Sequence, residues 1–273
     1  MVGFAARLYS ASPVWLQHVL ISGYGYKLYR KRYTGTIYDQ VRRDIERLNL
    51  MSAAEQRAFQ AERLHEMIKH CRANVPYYGT LLADLGLTEQ DFTDISHLNK
   101  LPILDKQQIR ETPERFRAKG TTPYMIQNTS GSTGTPLSLW VDEYTYKLAM
   151  ALLIDHEERQ GVTFGAKRAT FAGRMIQPVE NMNPPFSRFN RAENQRLFSS
   201  YHINRKTFPY YDKELARFEP EEIIGYPSAI YDLATQYQSI NKTPSFQLKS
   251  IVTNSETLLA LRSFLWKSSI IRT

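Results

Sequence analysis

Apolar residues recur at helical spacing from Thr36 to Ala73. Ile37, Val41, Ile45 and Leu48 form one stripe, and Phe59, Leu64, Met67, Ile68 and Cys71 form a second. Intervals of three and four, as in Ile37-Val41-Ile45-Leu48 and Leu64-Ile68-Cys71, keep such side chains on one helix face. Ser52, with Glu55 three residues later, is a capping box that opens the second helix. Pro76 closes that helix, because the residue before a proline is driven away from helical geometry. Pro76-Tyr77-Tyr78 then opens a connector into a short helix ending near Gly86. Asp105 is placed to cap a helix beginning at Lys106. A longer helix is predicted from about Asp142 to Glu158; its leading acids suit the positive N-terminal dipole, and Gly161 ends it.

The second half alternates strands with helices. Lys167 to Ala172, Ser199 to Ile203, Glu222 to Gly225 and Leu248 to Thr253 read as strands. Asp212 to Phe218 and Ala229 to Ile240 read as helices, the latter capped by Ser228. Asn181 to Asn194 is loop-like, with Pro184-Pro185 and several asparagines. The alternation predicts an α/β class with much parallel sheet.

One loop stands apart. Thr129, Ser130, Gly131, Ser132, Thr133 and Gly134 place four hydroxyls and two glycines in succession. Glycine tolerates positive φ, so the backbone can curl and point its N–H groups inward, with hydroxyls as further donors. Such a concavity suits an anion, above all a polyphosphate. It is not a Walker loop, because Gly134 is followed by Thr135 and Pro136 and no lysine. Tyr124-Met125-Ile126 and Leu137 to Val141 flank it as strands, which makes it a hairpin tip. The alternative is an ordinary Ser/Gly-rich surface turn.

Composition narrows the class. With 273 residues, 42% of them hydrophobic, the chain can bury a substantial core. The single cysteine, Cys71, excludes an internal disulfide and fits a reducing, cytoplasmic setting. The apolar run Val14 to Ile21 is interrupted by Gln17 and His18 and is too short to cross a bilayer. The net charge is +8, but lysines and arginines are spread along the chain without a nucleic-acid signature, which disfavours a nucleic-acid partner. Tyr24 to Tyr33 carries Lys27, Arg30, Lys31 and Arg32 among tyrosines. It suits an anionic surface or a solvated basic helix end. His65 and His70 are five residues apart and fall on different helix faces, so no metal site is predicted there.

Four landmarks occur in order: Val75-Pro76-Tyr77-Tyr78, Leu101-Pro102-Ile103-Leu104-Asp105-Lys106, the loop Thr129 to Pro136, and the pair Gly225-Tyr226-Pro227-Ser228 with Asn254-Ser255-Glu256-Thr257-Leu258. The set resembles the phenylacetate–CoA ligase family of adenylate-forming enzymes, most closely the branch associated with capsular polysaccharide biosynthesis. The resemblance implies that ATP and a carboxylic acid form an acyl-adenylate and pyrophosphate. Coenzyme A or another nucleophile, such as a sugar amine, then takes the acyl group. Thr129, Ser130, Gly131, Ser132, Thr133 and Gly134 match the family's phosphate clamp. Tyr226, Pro227 and Ser228 match a segment bordering the acyl pocket, and Ser255, Glu256 and Thr257 one lying against the adenine. Magnesium accompanies ATP in the family. The match assigns no catalytic side chain here.

The sequence also departs from the family. Thr135 and Leu137 flank Pro136 where many members carry a lysine. No Tyr-Gly-x-x-Glu motif follows Ser255-Glu256-Thr257, so the glutamate that would help hold magnesium is missing. The ribose-binding aspartate and the small C-terminal domain with its lysine are missing too. The expected layout is a basic, aromatic segment over 1–35 and an incomplete large domain over 36–273, its mixed sheets flanked by helices. Ser263 to Thr273 departs from the family as a frameshifted or truncated reading frame would. Little or no turnover is expected from these residues alone, unless a missing C-terminal half acts in trans. The alternative is a non-catalytic binding or scaffold fragment of the same fold.

Overall fold

A computed structural model of the chain describes residues 4–129 and 136–258. In chain order the elements are helices α1 (Phe4–Ala11), α2 (Val14–Tyr33), α3 (Thr36–Leu50), α4 (Ala53–Asn74), α5 (Pro76–Asp84) and α6 (Lys106–Glu111), strands β1 (Met125–Asn128) and β2 (Ser138–Val141), and helix α7 (Glu143–Arg159). Then follow β3 (Arg168–Phe171), β4 (Ser187–Asn190), β5 (Gln195–Phe198), α8 (Phe208–Phe218), β6 (Glu222–Gly225), α9 (Pro227–Ser239) and β7 (Ser250–Thr253). They form two compact units, one of Gly35–Ala151 and one joining Met1–Thr34 to Leu152–Thr273.

In the Gly35–Ala151 unit, the two predicted helical stripes form α3 and α4. Val41 and Ile45 of α3 are buried, and Leu64 and Ile68 of α4 pack with Leu82 and Phe92. Met67, expected in the same stripe, points outward. The capping box forms as predicted: Ser52 Oγ accepts from Glu55 N, and Glu55 Oε2 accepts from Ser52 N at 2.8 Å. Asp105 caps α6 in the same way, with Gln108 reaching back. β1 and β2 pair antiparallel with Asn128 opposite Ser138, so the hydroxyl-rich loop does connect a hairpin.

The other unit is built on a five-stranded sheet of order β4-β5-β3-β6-β7. β3 runs parallel to β5 and β6, β6 runs parallel to β7, and β4 is antiparallel to β5. Ala169, Phe171, Phe198 and Ile223 face the core, where they meet Tyr211 and Leu215 of α8 and Ile230, Leu233 and Tyr237 of α9. Phe171 stacks on Phe198 with ring centroids 4.9 Å apart.

Two segments differ from the sequence expectation. The loop expected over Asn181 to Asn194 contains strand β4. The strand expected over Ser199 to Ile203 lies earlier, at Gln195–Phe198, and Ser199 begins the following turn. The reason is tertiary. Polar residues in β4 and β5 find buried partners in the fold. Arg188 Nε donates to Gln17 Oε1 at 2.6 Å, and Arg196 pairs with Glu214. Strand preference depends on such neighbours more than on the residue itself.

α2 unites the apolar run and the basic tyrosine run in one helix, and it shields the edge strand β4. His18 Nδ1 accepts from Phe189 N at 2.8 Å. Ser22 Oγ donates to Phe189 O at 3.3 Å and accepts from Arg191 N at 3.1 Å. Edge strands invite pairing with other chains unless they are covered. Gly25 permits the close fit: a Cβ there would lie 2.1 Å from Asn190 Oδ1. Burial and the nearby Arg188 and Arg196 hold the His18 pKa below its ordinary value, which suits a neutral acceptor.

Arg168 of β3 bridges Glu222 of β6 (2.6 Å) and Glu157 of α7. Both carboxylates are buried, and each keeps one oxygen without a hydrogen-bond partner among the described residues. Two acids thus share one guanidinium. Burial pushes the Glu157 pKa up to about 7; Arg168 opposes the rise and Glu222 adds to it. A folded pKa above the unfolded value gives stability that is full below about pH 4.5 and is lost as pH rises through about 7. Denaturant unfolding across this range should therefore show the stability difference moving in favour of Glu157→Gln as pH rises. A flat difference would show that Glu157 does not titrate in this window. His18→Ala strands the Phe189 N–H and should cost about 1–3 kcal/mol in the same assay at about pH 8.

Candidate active site

Parallel strands align their carboxyl ends, and the loops leaving those ends are where α/β sheets place ligands. In the sheet-bearing unit, Phe171 lies beside Gly225, and Gly225 beside Thr253. The segments that follow β3, β5, β6 and β7 gather at this edge.

Backbone geometry draws them together. Tyr226 N donates to Phe171 O at 2.9 Å, and Asn254 N donates to Gly225 O at 3.2 Å. A Cβ on Gly225 would lie 2.2 Å from Phe171 O, so only glycine lets β6 run this close to β3 at its end. A Cβ on Gly173 would lie 2.8 Å from the Tyr226 ring. Ser200 Oγ donates to Ala172 O at 3.1 Å, and Tyr201 Oη donates to Gly173 O at 2.9 Å. The turn after β5 is thereby tied to the turn after β3.

Glu256 joins the two sequence-predicted segments. Its Oε2 accepts from Ser228 N at 2.9 Å, and its Oε1 accepts from Ser228 Oγ at 2.8 Å. Ser228 is not the cap of α9, as the sequence suggested. Tyr226 holds that position and Pro227 is the first helical residue, where a proline costs nothing because that N–H has no helical partner. The capping acceptor comes instead from the β7 loop. A carboxylate at a helix N-terminus satisfies an orphan N–H and complements the dipole. Ser255 holds a left-handed φ of 65°, and its Oγ donates to Asn254 Oδ1 at 2.9 Å. That turn aims Glu256 at α9.

The structure therefore brings Tyr226, Pro227 and Ser228 into one place with Ser255, Glu256 and Thr257. Thr129 belongs to the hairpin of the Gly35–Ala151 unit. Its N donates to Leu137 O at 2.9 Å and its Oγ1 accepts from Leu137 N at 3.0 Å, closing the base of the loop. Ser130, Gly131, Ser132, Thr133 and Gly134 lie outside the described residues, as does the unusual segment Ser263 to Thr273. Gly173, Ser200 and Tyr201 were missed by sequence reasoning. The signal was present for Gly173, which follows the predicted strand Lys167 to Ala172. Among the described residues no group of three or more His, Cys, Asp or Glu is arranged to hold a metal ion.

No family model matches the chain. It is 29% identical over 254 residues to Protein CapK of Staphylococcus aureus, covering 93% of this chain and 55% of CapK. It is 31% identical over 94 residues to phenylacetate-coenzyme A ligase of Escherichia coli (strain K12), covering 34% of this chain and 22% of that enzyme. By these similarities the chain is phenylacetate–CoA ligase-like, with the match to CapK running over most of its length. Solved structures of 2-hydroxyisobutyryl-CoA ligase share the fold of this chain. One, in the postadenylation state with 2-HIB-AMP, superposes with a TM-score of 0.53 at 14% identity, covering 81% of this chain and 48% of that one. Another, with 2-HIB-AMP and CoA, gives 0.50 at 16% identity, covering 75% and 44%. The chain spans about half the length of CapK (55%) and of that ligase (48%).

Gly225→Ala should destabilise the sheet-bearing unit by about 1–3 kcal/mol, because the carbonyl it meets is backbone and cannot turn aside. Glu256→Ala and Ser228→Ala should each cost about 1 kcal/mol, the worth of a helix cap. In denaturant unfolding the double variant should cost less than the sum of the singles. Strict additivity would show that the bridge contributes nothing.

Proposed function

We propose that this chain forms the front part of an adenylate-forming acid ligase. The observation that carries the reading is the Ser228–Glu256 bridge at the carboxyl ends of β6 and β7. It holds together the two segments that the family resemblance gives to the acid and to the adenine. In this reading Tyr226, Pro227 and Ser228 border the acyl group, and Ser255, Glu256 and Thr257 lie against the base. Thr129, Ser130, Gly131, Ser132, Thr133 and Gly134 curl around the β- and γ-phosphates.

The chemistry asks for this division. A carboxylate oxygen attacks the α-phosphorus, the bond to the bridging oxygen breaks, and pyrophosphate leaves with the charge. Donors aimed at that growing charge lower the barrier, each being worth about 1.5–3 kcal/mol. Magnesium enters as the counter-ion of the triphosphate; no residue of this chain is assigned to it. Coenzyme A or a sugar amine then displaces AMP. The product serves surface polysaccharide synthesis, and the reaction takes place in the cytoplasm.

Acid-dependent exchange of labelled pyrophosphate into ATP tests the reading, with a panel of aliphatic, hydroxylated and aromatic acids. Ser132→Ala should lower kcat/KM for ATP by about tenfold or more while leaving the thermal melt unchanged. An undiminished kcat/KM would make the loop an ordinary turn. A folded protein that neither exchanges pyrophosphate for any acid nor binds ATP with magnesium in a titration would favour a non-catalytic scaffold of the same fold.

A further inference from the structure

One side of α2 covers the sheet edge; along the flanks beside that side a set of its residues is exposed. Trp15, Val19, Tyr26 and Arg30 are separated by four, seven and four residues and so fall on one line along the helix. Leu20, Tyr24 and Lys27, separated by four and three, form a second line on the other flank of the helix. All seven are exposed, Trp15 to 66% and Tyr26 to 60%. Each line is apolar toward the start of α2 and cationic toward its end. Exposed Arg7 and Leu8 add the same pairing on α1. Between α2 and β4 lies an open trough of about 660 Å³, walled by Val19, Tyr26, Phe189 and Arg191 among others.

Charge selects the occupant. The first acidic residue of the chain is Asp39, whereas Arg7, Lys27, Arg30, Lys31 and Arg32 precede it. Five of the formal surplus of eight charges thus fall in the first 38 residues. Arg32 is paired with Glu193 at 2.8 Å, but Lys27 and Arg30 are exposed on the same helix. A nucleic acid would gain nothing from Trp15, Val19 and Leu20 presented at the apolar end. A lipid surface uses both ends, taking aliphatic and aromatic side chains at the acyl boundary and cations at the headgroups. A spanning role is excluded for α2, since no helix among the described residues is long and apolar enough to cross a membrane. Its other side is held to β4 by Gln17, His18 and Ser22.

We propose that the outer side of α2, with the adjoining end of α1, docks in the plane of a bilayer rich in anionic phospholipid, carrying the α/β unit at the membrane surface. The seat is independent of the ligase chemistry and goes beyond it.

Co-sedimentation of the purified protein with phosphatidylcholine vesicles, with and without phosphatidylglycerol, tests the proposal. The protein should bind the anionic vesicles, bind the neutral ones far less, and be released as salt rises. Lys27→Glu/Arg30→Glu should weaken binding by about tenfold or more. Trp15→Ser/Tyr26→Ser should weaken it comparably, with an unchanged thermal melt because both side chains are exposed. Four results would each overturn it: no preference for anionic vesicles, binding indifferent to Trp15→Ser/Tyr26→Ser, salt-sensitive binding to an RNA or DNA oligomer but not to vesicles, or a homodimer dissolved by Trp15→Ser/Tyr26→Ser that ignores vesicles.

Discussion

The approach of Gly225 to the Phe171 carbonyl oxygen governs the geometry of the candidate site. The missing Cβ lets the ends of β3 and β6 close together, and Tyr226 N then donates to that same oxygen at 2.9 Å. The turn into α9 starts at once, with Pro227 as its first residue. From there the β7 loop needs only one left-handed residue, Ser255, to bring Glu256 onto Ser228. Each step depends on the one before. A bulkier residue at position 225 moves the strand end, the helix start and the capping carboxylate together.

The same sheet carries two further constraints of different kinds. On one strand, Arg168 holds two buried acids and leaves each with an oxygen unpaired among the described residues. This arrangement is costly as a source of stability, because desolvation of buried charges offsets much of their attraction. At the edge, α2 provides side-chain partners for the outer backbone groups of β4. One face of that helix is spent on protecting the sheet, which leaves its aromatic and basic face toward solvent. Edge protection and surface chemistry are thus two sides of one element.

Legibility in the sequence followed the range of the forces involved. The capping box at Ser52–Glu55 and the cap at Asp105 involve close neighbours, and both form as read, with Gln108 completing a second box that was not read. The hairpin around Thr129 was legible from the strand-like run before it and the alternation after it. β4 was not, because Ser187-Arg188-Phe189-Asn190 carries no strand signature of its own and becomes a strand by pairing with β5 and lying under α2. The cap of α9 was misread for a related reason. The acceptor stands 28 residues away, and no local rule points to it.

What the sequence determined alone was the α/β class and the helices of the Gly35–Ala151 unit. Spacing, capping and turn chemistry act within a few residues and are written directly in the chain. The tertiary structure alone decided that Ser228 and Glu256 meet, that Gly173 and Tyr201 join their edge of the sheet, and that residues 14–33 fold onto a strand more than 150 positions later. Those outcomes depend on which strands lie side by side. Strand order is set by the burial of Phe171, Phe198 and Ile223 beneath α8 and α9, a packing event shared among residues far apart in the chain.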